Sequence, residues 1–238
     1  MHPLLIASLV LSGIMVLVMP YYCKITFDGQ SKKTLTVKMF LSSLFVLTAI
    51  LSLFSVKARH GYMYVMLLGF VMGFVGDYLL GRSDHLRDFL IGTGFFAAGH
   101  LSYIVAFSLA MRHLYPAIGW WNGAEAGLYI VLVCAVALVL VLKKPKFHKL
   151  LVILFVYFML IALMVTKAAG LGMRMLGEAP ALAMLPIGAA LFLGSDYMLG
   201  MMHFKMHART LPYKSACSAF YFFGQQLIAL SMFSLIQY

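Results

Sequence analysis

Residues 62–81 read YMYVMLLGFVMGFVGDYLLG, an apolar run of membrane-spanning length that closes on a carboxylate motif. The end of this run, residues 76–81 (GDYLLG), returns later in the chain as residues 195–200 (SDYMLG), again after an apolar run. An Asp near the centre of a spanning helix costs about 2.5–3.5 kcal/mol on insertion scales, so intramembrane acids are usually functional. The repeat therefore predicts two membrane helices with functional carboxylates, Asp77 and Asp196.

The composition indicates an integral membrane protein. The 238 residues are 63% hydrophobic and 11% charged, and their mean hydropathy is +0.97. Such a chain has too few polar residues to cover a water-exposed surface, so lipid must solvate it. Apolar stretches long enough to span a membrane cover residues 3–22, 36–56, 62–81, 89–111, 125–142, 150–168, 181–202 and 215–236.

These stretches predict one helical bundle. Lipid offers the backbone no hydrogen bonds, so a spanning chain forms helices or a closed barrel, and the alternating pattern of barrel strands is absent. We predict an all-α fold, a polytopic membrane bundle of about eight transmembrane helices, with residues 1–238 as a single transmembrane domain. The first stretch lacks a basic leader and a small-residue cleavage site, so we expect it to be retained as a spanning helix.

Positive charge is concentrated on one side of the predicted bundle. Of the 18 Lys and Arg residues, thirteen fall to the odd-numbered loops: Lys24, Lys32, Lys33, Lys38, Arg82, Arg87, Lys143, Lys144, Lys146, Lys149, Lys205, Arg209 and Lys214. The positive-inside rule places these loops in the cytoplasm and both termini on the other side. Because retention signals are absent, we expect a bacterial inner membrane. The basic residues form no nucleic-acid-binding module, so the expected partners are anionic membrane lipids and not nucleic acid.

The sequence repeat continues into the helix after each acidic motif. Phe96 and His100 in the fourth predicted helix correspond to Tyr221 and Gln225 in the eighth. Helices 3 and 4 thus form a parallel internal repeat with helices 7 and 8, and symmetry should bring the two aspartates together. At 1.5 Å per residue, both aspartates lie about 8 Å from the odd-loop ends of their helices, so we expect a pocket that opens there.

Four polar residues of helices 4 and 8 are candidates to line this pocket. Helical periodicity places Tyr103 on the face of His100, and Tyr221 on the face of Gln225. Each of the four, taken alone, is explained equally well by a hydrogen bond to a neighbour in the bundle. The aspartates differ, because helices 3, 4, 7 and 8 contain no Lys or Arg deep in the membrane to neutralise them. A functional role for both aspartates is therefore favoured.

Other polar residues fit structural roles or a weaker metal site. His203 and His207 stand four apart, a spacing that can ligate zinc, but their loop is basic and has no HExxH glutamate. Salt bridges or helix capping explain Asp84 and Asp88. The three cysteines lie on different segments without a paired spacing, so we expect reduced thiols and no thiolate metal site.

Several motifs of the chain match the signatures of one membrane protein family. The matching residues are Gly76, Asp77, His100, Tyr103, Ala106 and Phe107, then Tyr157 and residues 161–164, and finally residues 188–192, Ser195, Asp196, Phe204, Tyr221, Gln225, Leu230 and Ser231. From about residue 60 onward, the chain resembles the YhhN family, the lysoplasmalogenases.

The resemblance implies hydrolysis of the vinyl ether bond of lysoplasmalogens, which releases a fatty aldehyde and a glycerophospho-base. Protonation of the distal alkene carbon gives an oxocarbenium ion that water captures, so such an enzyme needs an acid and a base. Asp77 and Asp196 would share these catalytic roles, in an order that the sequence leaves open, with no cofactor and no metal. The expected substrate-binding residues are His100, Tyr103, Tyr221, Gln225, Ser195, Arg82 and Lys205, with Arg82 and Lys205 near the phosphate.

Three other functions stay open at the level of sequence. A zinc-dependent membrane lipid hydrolase would use His100, His203 and Asp196 as ligands, although no cluster of three histidines supports it. A proton-coupled transporter would also combine parallel repeats with intramembrane carboxylates, although neither half has a short helix interrupted by Pro or Gly. The third is a lipid-binding protein without turnover. The sequence leaves the oligomeric state open.

Overall fold

The computed structural model describes residues 3–27, 31–55, 59–83, 85–117, 119–143, 148–177, 179–203 and 210–235. These residues form eight α-helices and contain no strand, which confirms the predicted all-α bundle. The helices are α1 (Pro3–Phe27), α2 (Lys32–Phe54), α3 (Gly61–Arg82), α4 (Leu86–Leu114), α5 (Gly123–Lys143), α6 (His148–Arg174), α7 (Met184–His203) and α8 (Leu211–Leu235). A short 3₁₀ helix, Pro180–Ala183, leads into α7.

Hydropathy and exposure together identify an integral, multi-pass membrane protein. Seven of the helices are long and apolar enough to cross a membrane, and α5 carries a shorter apolar stretch, Gly123–Val139. Large apolar side chains cover the outside of the bundle, including Leu17, Val131 and Val152, each more than half exposed. An outer surface of this kind is stable in lipid and would aggregate in water.

The internal repeat is larger in the structure than in the sequence. The two hairpins that carry the sequence repeat, α3–α4 and α7–α8, are the most closely packed helix pairs. In addition, α2 packs against α3 and α8, while α6 packs against α7 and α4. These contacts make α2–α4 and α6–α8 equivalent units, and each unit sends one helix against the other. The outer helices continue the pattern, since α1 packs on α2 and α5 packs on α6.

Glycines at equivalent positions allow each hairpin to close. A Cβ atom built on Gly99 would lie 3.1 Å from the carbonyl oxygen of Gly69, and one on Gly188 would lie 2.7 Å from that of Gly224. Small residues at such crossings let helix backbones approach closely, which is a main source of helix association in lipid. The hairpins therefore hold α3 close beside α4, and α7 close beside α8, at equivalent positions of the repeat.

Two lysines pair with buried acids of neighbouring helices: Lys38, which the charge pattern counted with the odd-numbered loops, and Lys167, one of the five basic residues outside that count. Lys38 is in the second turn of α2, and Lys167 is in α6. Lys167 is buried against Glu125 of α5, with 2.8 Å between Lys167 Nζ and Glu125 Oε2. Their positions mean that these two lysines should not be counted as loop charges, because a cation one or two turns inside a helix can pair within the bundle instead of facing the loop. For Lys38, the partner is a residue of the acidic repeat.

Candidate functional site

One cavity contains both repeated aspartates. It has a volume of about 470 Å³, and its wall includes Asp77 of α3 and Asp196 of α7. The cavity reaches the end of the bundle at which α3 and α7 terminate, since Ser83 and His203 also line it. The bundle thus brings the two acids to one space, at the end that the depth of the aspartates predicted.

Asp77 is held by three side chains from two other helices. The hydroxyls of Ser42 on α2 and Tyr221 on α8 each donate a hydrogen bond to Asp77 Oδ2, both at 2.6 Å. Lys38 Nζ lies 3.1 Å from Asp77 Oδ1, and the aspartate is only 1% exposed. Lys38 and Ser42 are four residues apart on α2, so they share the helix face that meets α3. Two hydrogen-bond donors and a cation thus surround this carboxylate.

This ion pair corrects one premise drawn from the sequence. Helices α3, α4, α7 and α8 indeed supply no Lys or Arg to the acids, but α2 supplies Lys38 to Asp77. The sequence contained a signal for this pair, because Lys38 lies inside the apolar stretch 36–56, although the charge count placed it with the loops.

Asp196 has a different set of neighbours. The Tyr157 hydroxyl, from α6, donates a hydrogen bond to Asp196 Oδ2, and His100 Nε2, from α4, lies 3.4 Å from the same oxygen. His100 Nε2 is also 3.1 Å from the Tyr157 hydroxyl, so the three groups form one cluster. No Lys or Arg in the described part of the chain pairs with Asp196. The two repeated acids are therefore chemically distinct.

The repeat explains where each partner comes from. Tyr221 of α8 reaches across to Asp77, and its counterpart in the first unit is Phe96, which has no hydroxyl to offer Asp196. The equivalent of α2 is α6, and it provides Tyr157 in that role. The rings of Phe96 and Tyr221 meet edge to face between the units, with 5.8 Å between centroids. Each aspartate is thus completed by the other unit and by a helix outside the hairpins.

The four polar residues predicted on α4 and α8 differ in whether they line the cavity. Tyr221 lines the cavity, whereas His100, Tyr103 and Gln225 are fully or almost fully buried beside it. The Tyr103 hydroxyl donates a 2.8 Å hydrogen bond to Gln225 Oε1, joining α4 to α8. His100 Nδ1 is buried without a hydrogen-bond partner among the described residues. Side chains in such buried positions can orient the carboxylates, and they are less well placed to contact a bound molecule directly.

The cations proposed for the phosphate lie in several environments. Arg82 forms a bidentate pair with Asp88 of α4, at 3.0 Å from Arg82 Nε and 3.1 Å from Arg82 Nη2, and the residue itself is not part of the cavity wall. Lys205 lies outside the described residues. Two other lysines line the cavity, Lys38 and Lys214, and the latter donates to the carbonyl oxygen of Thr26.

The remaining candidates are placed as follows. Ser195 lines the cavity, with its Oγ atom 3.8 Å from the sulfur of Cys217. His203 also lines it and stacks on Phe89, with 3.5 Å between ring centroids. His207 lies outside the described residues, and so does Asp84. Among the residues that the structure describes, no group of three or more His, Cys, Asp or Glu side chains is placed to hold a metal ion.

Fold and site together define a class: a polytopic α-helical membrane protein, built from two parallel units, that keeps two unlike carboxylates in a cavity at one end of the bundle. The pattern of the YhhN family matches residues 33–232, so the chain belongs to the YhhN family. The match runs from the start of α2 to the last turn of α8 and includes every residue of the two carboxylate clusters. No curated protein and no solved structure matches the chain.

Proposed function

We propose that this protein is a lysoplasmalogenase-like hydrolase that cleaves the vinyl ether bond of lysoplasmalogens to a fatty aldehyde and a glycerophospho-base. The observation that carries the proposal is the pair of unlike carboxylates on one cavity wall, Asp77 with a cation and Asp196 without one. Acid catalysis around a cationic intermediate requires such a difference between two acids, one that gives a proton and one that stays charged.

The reaction suits carboxyl groups better than a nucleophile. A vinyl ether is electron-rich, so the first step is transfer of a proton from an acid to the distal alkene carbon. The resulting oxocarbenium ion is attacked by water at the carbon that carries the ether oxygen, and the proton of that water returns to a base. The hemiacetal hydroxyl then gives up its proton to a base as the bond to the glycerol oxygen breaks, the glycerol oxygen takes a proton, and the aldehyde leaves.

We assign the proton donor to Asp196. Tyr157 and His100 contact its Oδ2 atom, and both can pass a proton back to it after the first step. Asp77 is the counter-charge for the oxocarbenium ion in this proposal, because a cation, Lys38, and two hydroxyl donors already face its oxygens. A charge fixed in advance inside a cavity stabilises a developing cation without further reorganisation.

The same proposal covers substrate placement. The lysophospholipid enters from the odd-loop end, which we propose faces the cytoplasm of a bacterium whose inner membrane holds the protein. Lys214 joins Arg82 and Lys205 as a cation for the phosphate, since Lys214 lines the cavity. Ser195 lies on the wall next to Asp196, where its hydroxyl can contact the glycerol unit. His100, Tyr103, Tyr221 and Gln225 position the two acids and the attacking water.

The test is turnover by the purified protein in detergent, with a lysoplasmalogen beside its acyl lysophospholipid analogue. We expect fatty aldehyde from the first and no free fatty acid from the second, with activity that survives chelators. Fatty acid release would indicate an esterase. Loss of activity with EDTA and rescue by zinc would support a metal hydrolase. Absence of turnover together with proton flux in liposomes would support a transporter.

A further inference from the structure

Two smaller cavities continue from the carboxylate cavity toward the lipid. The first is a narrow passage of about 40 Å³ between α3–α4 and α6–α7. The second is a groove of about 280 Å³ with walls from α5 and α7 and a floor from α6. The lining of the groove is almost entirely aliphatic and aromatic, with Leu132 and Val136 on α5 and Leu193 on α7 among its members.

Shared residues show that the three spaces adjoin. Asp196 and Phe96 line both the carboxylate cavity and the narrow passage. Leu154, Phe158 and Gly200 line both the passage and the apolar groove. The three spaces therefore lie in sequence, from the proposed proton donor, past α6, to a groove along the outside of α7.

Gly200 lies where the passage meets the groove, since it lines both. It is buried, and a Cβ atom built on it would lie 3.7 Å from Phe158 Cζ and 3.8 Å from Leu154 Cδ1. An alanine would therefore be accepted in ordinary contact, whereas a larger side chain would fill the space between α6 and α7. From Gly200, the groove follows α7 back to Ala190, about 15 Å at the rise of an α-helix.

We propose that this route, from the passage at Asp196 to the groove between α5 and α7, binds the hydrocarbon chain of a single-chain amphiphile whose polar end occupies the carboxylate cavity. The inference rests on the proposed function for the identity of the polar end. The occupant follows from the order of the spaces: one end of the route is polar and charged, and the other is apolar and borders lipid. A single-chain amphiphile matches one polar cavity followed by one apolar groove, whereas a free phosphate ester has no chain for the groove and a two-chain lipid has one chain more than this groove would take.

The physical argument is one of solvation. The carboxylate cavity contains Lys38, Asp77 and Lys214, so a long alkyl chain left in it would displace water from charged groups. The groove offers the chain an apolar surface while the bond next to the chain remains at Asp196. Because the chain is already in lipid before binding, the groove contributes mainly by fit, so chain length becomes a property that the route can select.

The first experiment compares substrates of two chain lengths. Gly200→Leu fills the space where the passage meets the groove, and Gly94→Leu is the matched control, because Gly94 is exposed on α4 with nothing within 4 Å of an added Cβ. We expect Gly200→Leu to lower aldehyde release from an octadecyl-length lysoplasmalogen about tenfold or more, the scale of overpacking, and an octyl-length one less than about threefold. Gly94→Leu and Gly200→Ala should behave like the parent protein. Equal losses for both chain lengths, in a protein that elutes as folded, would overturn the proposal.

The second experiment measures binding without turnover. A saturated alkyl-ether lysophospholipid, which has no vinyl bond to protonate, carries a photoreactive diazirine at the end of an octadecyl-length chain. We expect crosslinks on Leu132, Val136 and Leu193, lost in Gly200→Leu and competed by the unlabelled compound. Crosslinks spread over the lipid-facing helices, without competition, would mean that bulk lipid fills the groove and would overturn the proposal. If the groove is labelled but the parent protein cleaves no vinyl ether, the proposed reaction fails and the chain site stands.

Discussion

Lys38 Nζ on α2 lies 3.1 Å from Asp77 Oδ1 on α3, while Asp196, the repeat partner of Asp77, is paired with Tyr157 and His100. The two units of the bundle therefore repeat the acid and change its surroundings. A repeat that kept both acids in identical surroundings would give each the same task, and a cation on only one of them separates their roles.

The first prediction concerns both acids. Asp77→Asn and Asp196→Asn should each lower aldehyde release at least about 10²-fold, the usual contribution of one acid–base group. The matched control is Glu125→Gln, because Glu125 is a buried acid that pairs with Lys167 and does not line the cavity. It should retain activity within about threefold. Near-normal rates in either cavity variant would rule out the two-carboxylate mechanism.

Lys38 should couple to Asp77 in stability as well as in activity. Removing one partner of a buried pair leaves an uncompensated charge, a loss of about 3–5 kcal/mol when both groups are fully desolvated. Lys38 is 15% exposed, so we expect Lys38→Met to cost somewhat less. The double variant Lys38→Met/Asp77→Asn should regain part of the lost thermal stability, measured by melting in detergent, yet remain inactive. A loss in the double variant equal to the sum of the two single losses would show that the pair is not coupled.

The two tyrosines should differ in importance. Tyr157→Phe leaves Asp196 with His100 alone, whereas Tyr221→Phe leaves Asp77 with Ser42 and Lys38. Asp196 becomes charged as it gives its proton, and a hydrogen bond to a charged group contributes about 1.5–3 kcal/mol. Loss of the Tyr157 hydroxyl, which donates to that carboxylate, should therefore lower kcat about tenfold to a hundredfold. The loss in Tyr221→Phe should be smaller. Tyr62→Phe, which removes a hydroxyl bonded to the Leu235 carbonyl, is the control.

Glu125 and Lys167 should matter for stability and not for turnover. Their side chains are 5% and 9% exposed, and Lys167 Nζ also lies 4.2 Å from the centroid of the Trp121 ring. Neither residue lines the carboxylate cavity. Glu125→Gln should lower the melting temperature, since breaking a buried pair costs about 3–5 kcal/mol. The rate per folded molecule should stay unchanged at a temperature where the variant is intact. A selective loss of kcat would assign this pair to the reaction.

The hairpin glycines should be sensitive to a single methyl group. A Cβ atom on Gly188 would lie 2.7 Å from a backbone oxygen, which has no rotamer to move, so Gly188→Ala should cost about 1–3 kcal/mol by forcing α7 from α8. Gly13→Ala on α1 meets nothing within 4 Å and should be neutral or stabilising. Melting curves of the two variants in the same detergent make the comparison. Equal melting temperatures for the two variants would mean that α7 and α8 can accommodate an added methyl group without loss of stability.

The two acids are the part of the site that the sequence predicts most directly. Asp77 and Asp196 could be found by reading the chain, because a carboxylate inside an apolar run is costly wherever it occurs and a repeat of it is visible without any structure. Their common cavity and the end at which it lies also followed, since depth along a helix is a count of residues. Hydropathy, which is a local sum, likewise determined the helical membrane fold.

The partners of the acids required the tertiary structure. Lys38, Ser42 and Tyr157 lie on α2 and α6, helices that show no sequence repeat because their side chains differ, although the bundle places them equivalently. Which face a helix turns to its neighbour depends on packing against all of its neighbours at once, and hydropathy is nearly uniform around helices surrounded by lipid and protein. The sequence by itself therefore determined that two carboxylates lie in the membrane, and only the packing of α2 and α6 decided which of them is paired with a cation.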